Sequence, residues 1–447
     1  MMPQTDNTHA LPANLPQLRF PEFKDAGVWE EVTIGGKVSK VGSGITPNGG
    51  DKNYKTQGIP FVRSQNIGWG CLILDDIAFI DNATHLTFVA TEIQKDDVLL
   101  NITGASIGRS AVADLRVQGG NVNQHVCIIR PELSALNSYY LNQYLLSDGG
   151  QKQIDSFQAG GNRQGLNFAQ IRSLLLPFPS LPEQQKIAAC LTSLDDLITA
   201  ENQQLEALKT HKKGLMQSLF PNSPPLEGWQ AQPDGVVSSV SQQPDGVGSD
   251  QTTPRLRRTP PTEGNLPQLR FPEFKDAGVW EGKALGDVSC SISSGKDKNE
   301  ESGTYSLYGS TGIIGKVLTN SYDGKFILVA RVGANAGLLS KVKGKFGVTD
   351  NTLVIVLKEN IDFDFCFYFL EKSGLNKLVF GSGQPLITGS QLKSLSLYFP
   401  PLPEQQKIAA CLSSLDDLIS AQSQKIEALK QHKKGLMQQL FPIGDKR

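Results

Sequence analysis

No stretch of this 447-residue chain approaches the roughly 20 consecutive apolar residues needed to cross a bilayer. The opening MMPQTDNTHALPANLPQ lacks the basic start and apolar run of an export signal. These two absences point to a cytoplasmic protein. Cysteine is sparse, at Cys71, Cys127, Cys190, Cys290, Cys366 and Cys411. None lies within a few residues of another, so no close ligand pair exists for zinc, and buried thiols are the simpler expectation. An excess of cations is also missing. The net charge is −1, so the chain binds a polyanion only if its charges are segregated or a partner supplies basic surface. Catalytic signatures are absent too. GSTGIIGKV (309–317) has the wrong spacing for a phosphate loop, and Val317 stands where Ser or Thr would hold magnesium. No strand–GxGxxG–helix unit and no NPPY-like or DPPY-like segment of a base-amino methyltransferase is present. None of His9, His85, His125, His211 and His432 has a nucleophile or a ligand set beside it. We therefore assign this chain no catalytic residue, no metal and no cofactor of its own. At 39% hydrophobic and 19% charged, the chain suits two or three globular domains.

What is present is repetition. Asn14 to Glu30 reads NLPQLRFPEFKDAGVWE, and Asn265 to Glu281 is the same string. Leu181 to Pro221 and Leu402 to Pro442 are a second pair, LPEQQKIAACL opening both, with mostly mild differences at an offset of 221 residues. Between the repeated segments lie two blocks, 32–180 and 282–401, that hardly resemble each other. Two copies are too few for a solenoid. One scaffold holding two different inserts is the natural reading. Residues 222–264, rich in Pro, Gly, Ser and Gln with QPDGV twice, read as a flexible linker. Its Arg255, Arg257 and Arg258 read first as a solvated charge cluster, with contact to DNA as the alternative.

The long repeat reads as a helix. Pro182 suits a first turn and Glu183 complements the dipole. From Pro182 to Leu219 the only breaker is Gly214, which allows a span of about 57 Å. Ile187, Leu191, Leu194, Ile198, Leu205, Leu208, Leu215 and Leu219 fall on a heptad stripe, with Glu201 and Lys212 at seam positions. The second copy repeats the stripe with Ile408, Leu412, Leu415, Ile419, Ile426, Leu429, Leu436 and Leu440, and with Gln422 and Lys433 at the polar places. Each helix packs on its own half, or the two pack on each other; the matching stripes favour mutual, antiparallel pairing about a pseudo-twofold axis. Glu183, Gln184, Lys186, Asp195 and Asp196 would then form an outer face free for partners.

Both blocks mix β-branched and aromatic runs with glycine. IPFVRSQNI (59–67), DDVLLNITG (96–104), HVCIIR (125–130), KFILVARVG (325–333) and NTLVIVLK (351–358) read as strands. Ser138 to Leu146 and Phe363 to Ser373 read as helices. Polar residues crowd the turns: Thr46, Asn48, Lys52, Asn53, Arg63, Gln65 and Asn66, then Arg163 and Gln164 in GGNRQG. The second block offers Lys296, Lys298, Asn299, Tyr305, Tyr308, Arg331, Asn335 and Gln384. Arg and Lys suit guanine edges and Asn and Gln suit adenine edges, though the same residues also furnish ordinary turns.

LRFPEF before each block, with FPSLPEQQKIA (178–188) and FPPLPEQQKIA (399–409) opening each helix, resembles the specificity subunits of type I restriction–modification systems. SGITP (43–47), GIPFVRSQNI (58–67) and NITGASIG (101–108) look like one class of target-recognition domain. LYGSTGIIG (307–315), VARVGANAG (329–337) and VTDNTLVIV (348–356) look like another. The resemblance covers nearly the whole chain apart from the linker. It implies an α+β protein with two target-recognition domains separated by two long helices in an antiparallel coiled coil. The expected boundaries are 1–180 for the first domain and its lead-in, 181–221 for the first helix and 222–264 for the linker. The second domain and lead-in take 265–401, and the second helix 402–447. It further implies that each domain reads one half of a split asymmetric site in double-stranded DNA, and that the helices dock two methyltransferase subunits. Those partners would use S-adenosylmethionine, and added restriction subunits would use ATP with magnesium. A specificity subunit of a stand-alone adenine methyltransferase complex, or a coiled-coil adaptor with no DNA role, remain the alternatives.

Overall fold

The heptad stripe and the proline in the first turn give two uninterrupted helices of 39 residues each in the computed structural model, which describes residues 14–47, 49–158, 165–221, 266–379 and 386–442. Gly214 does not break the first; it lies on an exposed face with nothing near its missing side chain. The expected linker, 222–264, falls outside the described residues.

Ahead of the first helix the order is β1 (Glu30–Thr33), β2 (Val38–Ser43), β3 (Ile59–Val62), β4 (Ala78–Ile80), α1 (Asn82–Leu86), β5 (Val98–Asn101), β6 (Ser110–Val112), β7 (Asn121–Val122), β8 (Val126–Pro131), α2 (Ser138–Leu146), α3 (Asp148–Ser156), α4 (Phe168–Ser173) and β9 (Leu175–Phe178), leading to α5 (Leu181–Leu219). The second half continues with β10 (Glu281–Ala284), α6 (Leu285–Val288), β11 (Ser289–Ser294), β12 (Tyr305–Gly309), β13 (Gly312–Val317), β14 (Tyr322–Ala330), β15 (Leu339–Val348), β16 (Thr352–Leu357), α7 (Phe363–Ser373), α8 (Gly389–Ser394), β17 (Ser396–Phe399) and α9 (Leu402–Leu440). The chain divides into two units, 1–204 with 422–447, and 205–421. The division cuts both long helices. Each unit therefore holds the first part of one helix and the last part of the other.

The first unit has a four-stranded sheet in the order β2-β8-β5-β6, a three-stranded sheet β4-β3-β7 and the pair β1-β9. The second has a six-stranded sheet in the order β11-β16-β14-β15-β12-β13 and the pair β10-β17. Pairing is antiparallel except β3 with β7 and β12 with β15. GSTGIIGKV is the turn of the β12–β13 hairpin followed by the whole of β13, not a phosphate loop. Helices α2 and α7 begin where Asn137 and Asp362 accept the amides of Tyr140 and Phe365, the short side chain satisfying a donor the helix leaves free.

In the first unit Ile187 and Leu191 of α5 share a core with Trp29, Tyr140, Tyr144 and, from the end of α9, Leu440 and Phe441. In the second, Ile408 and Leu412 of α9 share a core with Trp280, Phe365, Phe369 and, from the end of α5, Leu219 and Phe220. The helix segments run antiparallel: in the first unit Asp195 meets Lys433 and Glu201 meets Gln422, and in the second Lys212 meets Asp416. The helices thus pack both on their domains and on each other. Seam positions Leu194, Ile198, Leu205, Leu208, Leu415, Ile419 and Leu429 are half-buried, and Ile426 is buried. Of the cysteines only Cys127 and Cys366 are buried, and burial pushes both thiols up to about 12. Cys71 and Cys290 are exposed, which corrects the expectation of buried thiols; Cys290 lies on β11, the edge strand of its sheet.

Candidate nucleic-acid interface

The repeated lead-in folds back onto the start of each long helix. Arg19 grips Glu183 through two bonds, Nε to Oε1 at 2.7 Å and Nη2 to Oε2 at 2.8 Å, and donates to the Gly27 carbonyl. Arg270 treats Glu404 and the Gly278 carbonyl the same way, with both carboxylate distances 2.7 Å. Such a planar fork suits arginine alone. Lys186 pairs with Glu22 beside the Phe20 ring, and Lys407 with Glu273 beside Phe271. Gln184 and Gln405 accept the amides of Asn137 and Asp362, the capping residues of α2 and α7.

These contacts correct the expected outer face. Glu183 is 1% exposed and Gln184 0%, because the lead-in and the following domain cover the first helical turn. Lys186 is committed to Glu22. Asp195 accepts from Gln143 of α2 and from Lys433, while Asp416 accepts from Tyr368 of α7 and from Lys212. The polar seam residues Lys212 and Lys433 therefore tie helix to helix to domain. Burial, and then donation to the Asp416 carboxylate, raise the Tyr368 hydroxyl well above its ordinary range. Of that set Asp196 alone is exposed with no ion pair or hydrogen bond among the described residues.

Within each unit the frame presents an equivalent cluster of loops. In the first, the Ile102 amide donates to the His125 carbonyl, and the Leu166 amide to the Ile102 carbonyl. In the second, Arg331 donates to Asn351 and Ile387 to Arg331. NITGASIG and ARVGANAG close the same turn: the amides of Gly108 and Gly337 donate to the carbonyls of Asn101 and Ala330. Both glycines take φ near +90°, and a Cβ on Gly337 would lie 2.5 Å from the Asn376 backbone nitrogen, so no other residue fits without a shift. The two blocks that hardly resemble each other as strings thus share a backbone core.

The cluster in the first unit carries a polar chain. Thr46 donates to Gln124, whose Nε2 lies 3.0 Å from His125 Nε2, and His125 Nδ1 lies 2.5 Å from Thr103 Oγ1. Gln124 and Thr103 were not singled out in the sequence, although Thr103 lies within NITGASIG; their link to Thr46 is made only by the fold. Lys52 is exposed, and Asn53 is half-buried beside Gly49. Arg63, Gln65 and Asn66 converge on Asp76. Arg63 donates to the Asp76 backbone carbonyl at 2.6 Å and lies over the Tyr54 ring, and Gln65 donates to the Asp76 carboxylate. Asn66 is buried, its amide donating to the Ile73 carbonyl and to Asp76 at 3.0 Å, so it braces the loop and does not face solvent.

In the second unit Lys296, Lys298 and Asn299 are exposed, with Asn299 accepting the Lys316 amide. Tyr305 is half-buried, and Tyr308 packs edge-on against Phe346. Arg331 is half-buried, and its Nε has no partner among the described residues. Asn335 is exposed in the turn Gly333–Asn335. Asn48, Arg163, Gln164 and Gln384 lie outside the described residues. Among the described residues, Gly165 bridges Thr103 in the first cluster and Leu386 bridges Val332 in the second. No described helix is long and apolar enough to cross a membrane.

The type I restriction modification DNA specificity domain matches residues 27–210 and 278–431. The MjaX type I restriction enzyme specificity subunit assigned in Methanocaldococcus jannaschii is 25% identical over 443 residues, covering 92% of each chain. The EcoprrI specificity subunit of Escherichia coli is 34% identical over 125 residues, 28% of this chain and 31% of that one. Among solved structures, the S subunit of a type I restriction–modification system from M. genitalium superposes with a TM-score of 0.58 at 14% identity, covering 97% of this chain and all of that one. A second, from work on complex assembly and conformational transition of the type I restriction–modification system, gives 0.51 at 15% identity over 93% and 98%. At these identities the structural likeness is one of fold.

Proposed function

The chain belongs to the type I restriction–modification DNA specificity family, and from that premise we propose that each domain reads one half of a split, asymmetric DNA site while the paired helices hold the readers and dock two methyltransferase subunits. The observation that carries this reading is the duplication of the frame around two unlike loop clusters. Identical clamps at Arg19–Glu183 and Arg270–Glu404 present one cluster built around Gln124 and His125, and another built around Arg331 and Asn351. One scaffold twice, with different polar edges, suits a target whose two halves differ.

In this reading the chain supplies recognition and no bond-making chemistry. Methyl transfer to adenine falls to the partner subunits with S-adenosylmethionine. Translocation and cutting fall to restriction subunits with ATP and magnesium, acting on cytoplasmic DNA. The test is to express the chain with its neighbouring methyltransferase gene and map methylated adenine across the host genome. A bipartite, asymmetric motif that disappears when this chain is deleted is the expected result. A contiguous motif, or one that persists without the chain, overturns the proposal.

A further inference from the structure

The shared core of the two domains ends differently on one side. The hydrogen bonds that align Asn101 with Ala330 and Arg109 with Leu338 also align β5 with Ile327–Ala330 and β6 with Leu339–Lys341. In the first unit those strands stop there, at four and three residues, all buried. In the second they continue as a ribbon, so that β14 and β15 reach nine and ten residues. One face of the extension has its own apolar cluster, with Tyr322, Phe326, Phe346 and Val342 packed together.

The other face is cationic. Alternation along a strand puts Lys341, Lys343 and Lys345 on one side. Lys341 is held by Asp364 of α7, but Lys325, Lys343 and Lys345 are exposed, and no carboxylate among the described residues forms an ion pair with them. Lys345 stands across the ladder from the exposed Asp323 with no ion pair between them, and Lys325 stands directly across from Lys343. Like charges so placed work against pairing of the strands. From Tyr322 to Val348 the chain carries five cationic residues and one carboxylate, within a protein of net charge −1. A ribbon with its own apolar cluster and opposed, unpartnered lysines is arranged for a dense anion and not for its own stability.

We infer that the β14–β15 extension of the second domain grips the phosphate backbone of duplex DNA through Lys325, Lys343 and Lys345, a contact the first domain has no equivalent for. It rests on the proposed reading of DNA by this chain. It supplies affinity and leaves base choice to the loop cluster.

The test is fluorescence anisotropy of the full chain on a mixed-sequence DNA duplex across a series of salt concentrations, for the natural protein, for Lys325→Gln/Lys343→Gln/Lys345→Gln, and for Lys24→Gln/Lys275→Gln on the exposed lead-ins. Each phosphate contact contributes about 0.9 to the slope of log affinity against log salt, so the triple variant should lose up to about 2.7 of that slope. The lead-in variant should keep it. Melting temperature should stay level or rise in the triple variant, as opposed charges are removed. An unchanged slope with a natural protein that binds DNA overturns the ribbon assignment and leaves the proposed function standing. A natural protein with no salt-dependent binding removes both.

Discussion

The two domains are alike where they meet the long helices and unlike where strands are free to lengthen. Both close the same turn with glycines of positive φ, Gly108 and Gly337, and both seat a capped helix on a helix-borne glutamine, Gln184 or Gln405. Away from that frame the first domain adds the small β4-β3-β7 sheet, and the second adds the β14–β15 ribbon with its lysines. Backbone bonds and close glycine approaches hold the common part with almost no demand on side-chain identity. Side chains at the free edges can therefore diverge at little structural cost, which is the property that a pair of independent readers requires.

The comparison breaks most visibly if the domains are not independent. Replacing residues 32–180 with the matching block of a relative should change one half of the methylated motif completely and leave the other untouched, as read by methylation mapping. A change in both halves would mean that the clusters read jointly. A smaller effect tests whether the frames are equivalent. Arg19→Ala and Arg270→Ala each strand a buried carboxylate, and each should cost about 3 kcal/mol in denaturant unfolding. Lysine should not restore either, for want of a two-pronged donor. Unequal losses would show that one clamp carries more of the structure than its copy.

The smallest effect lies where the copies differ within the seam. Glu201 and Gln422 occupy equivalent positions 221 residues apart, and they bond to each other, with Gln422 Nε2 2.7 Å from Glu201 Oε2. Lys425 stands 2.7 Å from the same carboxylate; its counterpart in the first copy is Gln204. The Lys425 ammonium, and then the Gln422 amide, hold the Glu201 carboxyl below its usual range. Its contribution is therefore full above the ordinary carboxylate range and is lost as pH falls through the depressed value. Glu201→Gln should lower the melting temperature slightly at neutral pH, and the difference should vanish in acid. A difference that persists at low pH would assign Glu201 a packing role.

The frame was legible because its signals are local. A heptad stripe and a proline in the first turn mark the long helices without knowledge of the fold. The common core of the variable blocks was not legible, since apart from Gly108 and Gly337 its determinants are carbonyl and amide positions that nearly any residue supplies. Nor could residue type separate Asn66, buried as a brace, from Asn335, exposed on a turn. Glu183 and Gln184 read as surface because charge on a first helical turn is usually solvated; the arginine that buries Glu183 stands 164 residues earlier. The lysine ribbon was invisible to a whole-chain charge count that Asp and Glu elsewhere bring to −1.

The helix ends that each unit draws from a distant part of the chain set an order of manufacture. Phe441 stacks near Tyr140 and Tyr144, at 5.6 and 5.5 Å, and with Leu440 it closes the apolar interior of the domain synthesised first. As the chain leaves the ribosome, the domain ahead of the first long helix must wait, its interior open on one side, until Leu440 and Phe441 are translated. The second domain waits for nothing: Met216, Leu219 and Phe220 have emerged before its own strands do. A stop between Leu412 and Leu440 would thus leave the core of the second domain whole and that of the first, made earlier, unfinished.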